Sequence, residues 1–259
     1  SHLEGLHSEE VVAREKFDLI RESKNLDLAI YPEHCLKFKE FKNFRKNSDK
    51  RSIVLYEGEP PPKHGDDEYY FQFRTETNIT GNSGVLRLWR TGFPVLNLEV
   101  PPMSRGMGSN LALALIAATE LGLCEDIFFE RLPQYTPSSL RGRILQGRGR
   151  TYYVDCYNAN PSSMKDSISF FTEINSTLPR LLVLGGMEEL GEKEKLLHSE
   201  TGAGISLGAR DLALLIGEKA SWIAEGMVQN GISEDQILLL NEKEDARPVI
   251  EDFEGAVLF

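Results

Sequence analysis

The sequence has few cysteines and no long apolar run, and each absence excludes a class of protein. Only three cysteines occur in 259 residues, Cys35, Cys124 and Cys156. They are odd in number, far apart and without metal-site spacing, so we expect reduced thiols in a cytoplasmic protein instead of a disulfide framework. No window approaches the roughly 18 apolar residues that a membrane-spanning helix needs, so we expect no membrane partner.

The sequence also lacks an excess of basic residues and two nucleotide-binding motifs. The chain has 29 Lys and Arg against 40 Asp and Glu, a formal charge of -11, which argues against a nucleic-acid partner. No Gly-x-x-x-x-Gly-Lys-Ser/Thr loop occurs, and there is no Gly-Lys dipeptide at all. No Gly-x-Gly-x-x-Gly follows the first predicted strand of the second half, so a dinucleotide-dependent oxidoreductase is disfavoured.

The first half of the chain predicts α/β structure followed by hairpins. Ser8 is a predicted N-cap of a helix that ends near Ser23, with acidic residues in its first turn. Short apolar runs at 26–31 and 52–56 predict buried strands on either side of a helical segment at 33–46. Three β-rich segments divided by Gly and Asn then predict antiparallel hairpins, and a helix is predicted over 110–123.

The second half alternates regularly between strands and helices. The Arg- and Gly-rich stretch at 141–150 marks a change of composition, so we predict two domains, 1–140 and 141–259, joined near Arg141. Beyond it, apolar runs at 152–156, 181–186, 212–217, 237–240 and 256–259 alternate with helical segments. This pattern predicts βαβ units, hence a Rossmann-like domain with a mostly parallel sheet.

The turn after the first strand of this second domain carries the polar side chains of most interest. Asn160 before Pro161 is a good N-cap, so its role can be structural. Asp155 and Asn158 lie where a strand hands over to a helix, the edge at which parallel sheets bind ligands. A carboxylate and a carboxamide at this spacing suit ribose hydroxyls or a base edge, although Asx turns are a common alternative.

Two residues near the start of the chain are harder to interpret from the sequence. Lys16 shares a helical stripe with Val12, Leu19 and Ile20, which predicts a core-facing lysine. Such a lysine can snorkel to water, or it can have a lowered pKa and a reactive neutral amine. His2 is a lone histidine, for which metal binding is uncommon.

Taken together, these stretches resemble the Mur ligases, the ATP-dependent amide-bond formers of bacterial cell-wall synthesis. The fold implied is part of the central ATP-binding domain followed by the Rossmann-like C-terminal domain. The most specific pieces resemble the branch that adds D-alanyl-D-alanine to UDP-N-acetylmuramoyl tripeptide. The segments that carry the resemblance are "HLEGLHSEEVVAREKFDLI" (2–20), "SNLALALIAATELGL" (109–123), "RGRIL" (141–145), "DCYNANPSSM" (155–164) and "VLGGMEELGE" (183–192) with His198 following.

The resemblance implies an enzyme, its cofactors and its site residues. The enzyme would be a cytoplasmic, monomeric ligase of peptidoglycan precursor synthesis that uses ATP and Mg2+ and forms an acyl phosphate on the tripeptide before D-alanyl-D-alanine attacks. Lys16 would be carbamylated and would hold Mg2+ together with His2. The side chains expected to meet ATP are Asn110, Arg143, Asp155, Asn158 and Asn160.

The chain departs from the family pattern in several places. The phosphate-binding loop, which lies upstream of the 2–20 segment in the family, is absent, so we expect an inactive fragment that begins inside the central domain and also lacks the end of the last domain. The Gly-x-His-Asn pattern before Asn110 reads Ser104-Arg105-Gly106-Met107, and Gly186 replaces an aspartate. The alternatives are another ligase of the superfamily, such as a folylpolyglutamate synthetase, or a non-catalytic nucleotide-binding module.

Overall fold

A computed structural model describes residues 8–61, 65–78 and 81–259. These residues form two compact units that divide between Tyr135 and Thr136. No helix in these ranges is both long and apolar enough to cross a membrane.

The N-terminal unit contains four described α-helices: α1 (Glu9–Arg21), α2 (Lys39–Asn47), α3 (Arg105–Glu120) and α4 (Asp126–Arg131). The predicted cap is present, because the Ser8 hydroxyl accepts a hydrogen bond from the Val11 N–H. The segment predicted to be helical at 33–46 divides into a 3-10 turn (Glu33–Lys37) and α2. Helix α4 was not predicted, since it has only six residues and no apolar periodicity of useful length.

In the described part of the N-terminal unit the sheet has five strands: β1 (Leu28–Pro32), β2 (Arg51–Glu57), β3 (Glu68–Asn78), β4 (Gly81–Arg90) and β5 (Leu96–Val100). They lie in the order β1-β2-β3-β4-β5. Strands β1 to β3 are parallel, whereas β3, β4 and β5 form antiparallel pairs. Both predictions for this half, buried strands and then hairpins, are confirmed.

The sheet of the C-terminal unit has six strands: β6 (Arg143–Gly147), β7 (Arg150–Val154), β8 (Arg180–Gly185), β9 (Leu212–Ile216), β10 (Ile237–Leu240) and β11 (Ala256–Leu258). Their spatial order is β10-β9-β8-β11-β7-β6. All neighbours are parallel except β6, which forms an antiparallel hairpin with β7. The mostly parallel Rossmann-like sheet predicted from the sequence is therefore confirmed, while the stretch interpreted as linker also supplies the edge strand β6.

Four helices connect these strands: α5 (Pro161–Ile174), α6 (Glu194–Ala203), α7 (Ala220–Gln229) and α8 (Ala246–Asp252). Short 3-10 turns lie at Leu132–Gln134, Gly191–Lys193, Glu234–Gln236 and Lys243–Asp245. The sheet is buried on both faces, because successive residues of β8 belong to different cores: Leu182 packs with Phe171 and Ile223, and Leu181 packs with Val257. Burial on both faces explains why these strands read as continuous apolar runs.

Candidate functional site

A cavity of about 280 Å³ opens at the carboxyl ends of β7, β8 and β11. The chain leaves β7, crosses to β8, continues outward to β10 and returns so that β11 lies between β7 and β8. Ligands of open α/β sheets bind at such a change of winding direction, outside the carboxyl ends of the strands. The polar side chains that line the cavity come from the turn after β7, from α5 and from the loop after β8: Asp155, Asn158, Ser163, Ser167 and Glu188.

Asn160 forms the N-cap of α5. Its side-chain oxygen accepts from the Ser163 N–H (3.0 Å), and its own N–H donates to Ser163 Oγ (3.1 Å). Pro161 follows as the first helical residue, where its missing N–H costs nothing. In this reciprocal capping box the Asn160 side-chain oxygen and the Asn160 N–H both find their partners within the first turn of α5. The structure thus gives Asn160 the structural role that the sequence left open.

Asp155 is held at both carboxylate oxygens. The Gly142 N–H donates to Oδ1 (3.1 Å), and the Ser167 hydroxyl donates to Oδ2. Gly142 is buried and has a φ of +64°, a left-handed conformation that favours glycine. The carboxylate therefore lines the cavity in a fixed orientation, and neither donor was identified from the sequence.

Asn158 and Arg143 lie near Asp155, and their side chains make fewer hydrogen bonds within the described residues than the Asp155 carboxylate does. Asn158 is exposed at the cavity, and among the described residues its Oδ1 accepts a hydrogen bond from the next N–H alone, that of Ala159 (2.9 Å). Arg143 is exposed and pairs across the hairpin with Val154, the residue before Asp155, and its side chain makes no hydrogen bond or ion pair within the described part of the chain. The fold thus brings Arg143, Asp155 and Asn158 to one edge of the sheet, each with unused capacity for a ligand.

A cation–π contact reinforces the point where the chain enters this unit. The Arg141 guanidinium lies 3.9 Å from the centroid of the Tyr157 ring, and the Tyr157 N–H donates to the Leu140 carbonyl (3.1 Å). Leu140 adopts a φ of +65°, which is uncommon for a leucine. The segment before β6 is therefore tied to the turn after β7 at several successive residues.

The loop after β8 is fixed from beneath by a buried histidine. His198 is fully buried, its Nε2 accepts from the Met187 N–H (2.8 Å), and its Nδ1 lies 2.7 Å from the Glu194 carbonyl. An acceptor Nε2 requires that Nδ1 carry the proton, so these two bonds define the tautomer. The histidine that the sequence placed only in a motif is thus a support for the loop at the cavity.

Lys219, before α7, braces the same loop from the side. Its ammonium donates to Glu188 and Glu194, each at 2.6 Å, and these hydrogen bonds raise the pKa of Lys219. A Cβ on Gly186 would lie 2.8 Å from Lys219 Cβ. The family pattern has an aspartate at this position, and in this structure the stem of Lys219 occupies the space that a side chain at 186 would need.

The remaining predicted residues belong to the N-terminal unit. Lys16 is exposed on α1, whose core side is formed by Ala13, Phe17 and Ile20, so the prediction of a core-facing lysine is wrong. The predicted stripe was one residue out of phase, and Leu19, which it included, is 75% exposed. Asn110 is exposed on α3.

The predicted metal site is only partly covered by the structure. His2 lies outside the described residues. Within the described ranges no three His, Cys, Asp or Glu side chains come together as a metal-binding group. The roles of His2 and Lys16 therefore stay predictions.

Comparison with known proteins agrees with the resemblance seen in the motifs. Residues 141–256 match the family model described as "Mur ligase, glutamate ligase domain". A curated relative, the UDP-N-acetylmuramoyl-tripeptide--D-alanyl-D-alanine ligase of Bacillus subtilis (strain 168), is 27% identical over 167 residues, which are 62% of this chain and 36% of that protein. The resemblance to the Mur ligases is thereby confirmed.

Solved structures show the same fold. The MurF ligase of Thermotoga maritima in complex with ADP superposes with a TM-score of 0.75 and 20% identity, covering 100% of this chain and 55% of that one. MurF of Acinetobacter baumannii gives a TM-score of 0.74 with 19% identity, covering 100% and 53%. The chain thus spans little more than half the length of these two proteins, and 36% of the Bacillus relative.

Proposed function

We propose that this chain is the part of an ATP-dependent amide ligase that holds the nucleotide and guides D-alanyl-D-alanine onto UDP-N-acetylmuramoyl tripeptide. The observation that carries the proposal is the cavity at the winding switch of a Mur-type C-terminal unit, with the Asp155 carboxylate anchored in its wall. The name of the Bacillus relative and the ADP bound by the Thermotoga protein support the choice of reaction and nucleotide.

The proposed reaction has two steps. The tripeptide carboxylate attacks the γ-phosphorus of ATP, the bond to the bridging oxygen breaks, and an acyl phosphate and ADP result. The amine of D-alanyl-D-alanine then attacks the acyl carbon, phosphate leaves with the bonding electrons, and the ammonium proton is lost to water. Phosphoryl transfer depends chiefly on positioning and on compensation of charge, so the residues that orient ATP govern the rate.

We assign the chain's own contributions from their surroundings. Asp155 accepts hydrogen bonds from ribose hydroxyls, Asn158 offers its amide beside it, and the Arg143 guanidinium faces nucleotide charge. Asn110 is the proposed adenine contact in the N-terminal unit. Asn160 contributes by capping α5 and so holds the turn in shape.

Magnesium would compensate phosphate charge when bound, and its ligands are proposed to be a carbamate on Lys16 together with His2. The described residues do not by themselves form a metal site, so no step here is assigned to the ion. Replacing Lys16 by alanine in a complete ligase should abolish turnover. Native mass spectrometry at neutral pH, where a carbamate keeps its carbon dioxide, is an independent readout for an adduct of about 44 Da.

The activity is tested by phosphate release from a version of the chain extended upstream through a phosphate-binding loop. With ATP, the tripeptide nucleotide and D-alanyl-D-alanine we expect turnover, and Asp155→Asn should raise the KM for ATP. Other amines and a folate acceptor serve as controls that distinguish a folylpolyglutamate synthetase. No turnover above background with the expected substrates would contradict the assignment.

A non-catalytic nucleotide-binding module is the second candidate, since the same cavity with its anchored Asp155 carboxylate could hold a nucleotide without catalysing ligation. It predicts that the chain binds ATP or ADP and that the extended version binds equally well but never releases phosphate. Cytoplasmic location and a monomeric state are part of the leading proposal, and sedimentation of the purified chain tests the latter.

A further inference from the structure

Ser167 is a buried polar residue in the wall of the cavity. It lies on the face of α5 that also carries Ser163, Met164 and Ile168, and only 6% of it is exposed. A buried hydroxyl is costly unless it is hydrogen-bonded, and in a helix serine is slightly less favourable than alanine. The Ser167 hydroxyl has one described hydrogen bond, which it donates to Asp155 Oδ2.

The opposite oxygen of Asp155 is held by a second, unrelated element. The Gly142 N–H, from the segment before β6, donates to Oδ1. Two donors from different directions prevent rotation of the carboxylate about its Cβ–Cγ bond. A carboxylate has about four acceptor positions, so two remain for a ligand in the cavity.

We propose that Ser167 is a positioning residue for the nucleotide: it holds Asp155 in the orientation that accepts both ribose hydroxyls, and it thereby sets the preference for a ribonucleotide. The inference rests on the proposed function, because it assumes that ATP is the ligand of Asp155. Ser167 itself need not touch the nucleotide.

The consequence of removing the hydroxyl follows from this geometry. In Ser167→Ala, the carboxylate keeps the Gly142 bond but can rotate about it, so the ribose loses a pre-oriented acceptor. The expected loss of ATP affinity is roughly three- to tenfold, the equivalent of one ordinary hydrogen bond. The affinity for a nucleotide without ribose hydroxyls should be the same in Ser167→Ala, since such a nucleotide makes no hydrogen bond to Asp155.

The experiment measures dissociation constants of ATP and 2′,3′-dideoxyATP by NMR titration of the full 259-residue chain, following the amides of Gly185 and Gly186. Ser167→Ala should weaken the binding of ATP but not that of dideoxyATP. Ser167→Thr, which keeps the hydroxyl, should bind ATP as the unmodified chain does. Ser169→Ala is the matched control, because Ser169 is exposed on the same helix. In an Asp155→Ala background, where no side-chain oxygen remains for Ser167 to orient, Ser167→Ala should have no further effect.

The outcomes separate the inference from the proposed function. Equal weakening of both nucleotides in Ser167→Ala would mean a general structural role and would overturn the inference, as would unchanged binding of ATP. If the unmodified chain shows no ATP titration at the cavity, the nucleotide assignment of this unit fails, and the inference fails with it. Thermal unfolding of each variant shows whether the C-terminal unit is folded.

Discussion

Gly186 provides the sharpest test of the packing beside the cavity. Replacing it by alanine adds one methyl group, and that methyl would lie 2.8 Å from Lys219 Cβ, 3.4 Å from Lys219 Cδ and 3.6 Å from His198 Nε2. Ordinary contact between carbon atoms requires about 3.5–4.0 Å. The Lys219 Cβ cannot turn away by a change of rotamer, because it is attached directly to the backbone.

The expected cost follows from this overlap. Forcing an extra methyl into a packed site costs about 1–3 kcal/mol, whereas alanine gains about 0.4–1 kcal/mol over glycine by restricting the unfolded chain. We therefore expect Gly186→Ala to destabilise the C-terminal unit by about 1–2 kcal/mol. Relief by movement of Lys219 would disturb its bonds to Glu188 and Glu194.

The neighbouring Gly185 is the matched control. A Cβ there would meet nothing within 4 Å, and neither glycine has a left-handed φ. Gly185→Ala should therefore be neutral or slightly stabilising. Urea unfolding is followed by the fluorescence of Trp222, which contacts His198, in a Trp89→Phe background so that only the C-terminal unit is observed.

A double-mutant cycle identifies the cause. In a Lys219→Gly background the clashing Cβ is gone, so Gly186→Ala should lose its penalty, and the two substitutions should show a coupling energy of at least about 1 kcal/mol. The reasoning is refuted if Gly186→Ala is no less stable than Gly185→Ala at equal m-values, or if the cost persists without the Lys219 side chain.

Three further predictions concern stability elsewhere in the C-terminal unit. Burial opposes charge on Asp211, but hydrogen bonds from Arg180 and the Gly208 N–H outweigh it and lower the pKa of the carboxyl. The carboxylate therefore stabilises the fold above pH 3.8, and this stabilisation is lost as pH falls through the lower folded pKa. Asp211→Asn should cost about 3 kcal/mol at pH 7 and should make the stability measured in urea less dependent on pH in the acid range. Asn160→Ala should cost about 1 kcal/mol through loss of the α5 cap, and an unchanged urea midpoint would contradict the capping role. Arg148 has a φ of +52° in the β6–β7 turn, so Arg148→Gly should raise the thermal midpoint by relieving about 1 kcal/mol of strain, and a lower midpoint would show that its contact with the exposed Glu251 matters more.

The residues of the candidate site were predictable to different degrees, for physical reasons. Asp155 and Asn158 could be identified because the carboxyl end of a parallel strand is a position that the sequence pattern defines. Lys16 was placed on the wrong side of α1, because a helical stripe read from a few apolar residues can rotate by one position without losing its periodicity. Ser167 could not be found, since a serine in a helix has no pattern that distinguishes a buried donor from an exposed one.

The sequence by itself determined the α/β class, the alternation of strands and helices in the second half and the strand-to-helix turn at 155–160, because periodicity and capping are properties of neighbouring residues. Only the tertiary structure decided what that turn is joined to. The Gly142 N–H and the Ser167 hydroxyl meet at Asp155 from 13 residues before it and 12 residues after it, and the Lys219 stem fills the space beside Gly186 from another loop. Contacts of this kind depend on how the strands are ordered in the sheet, which local patterns do not encode.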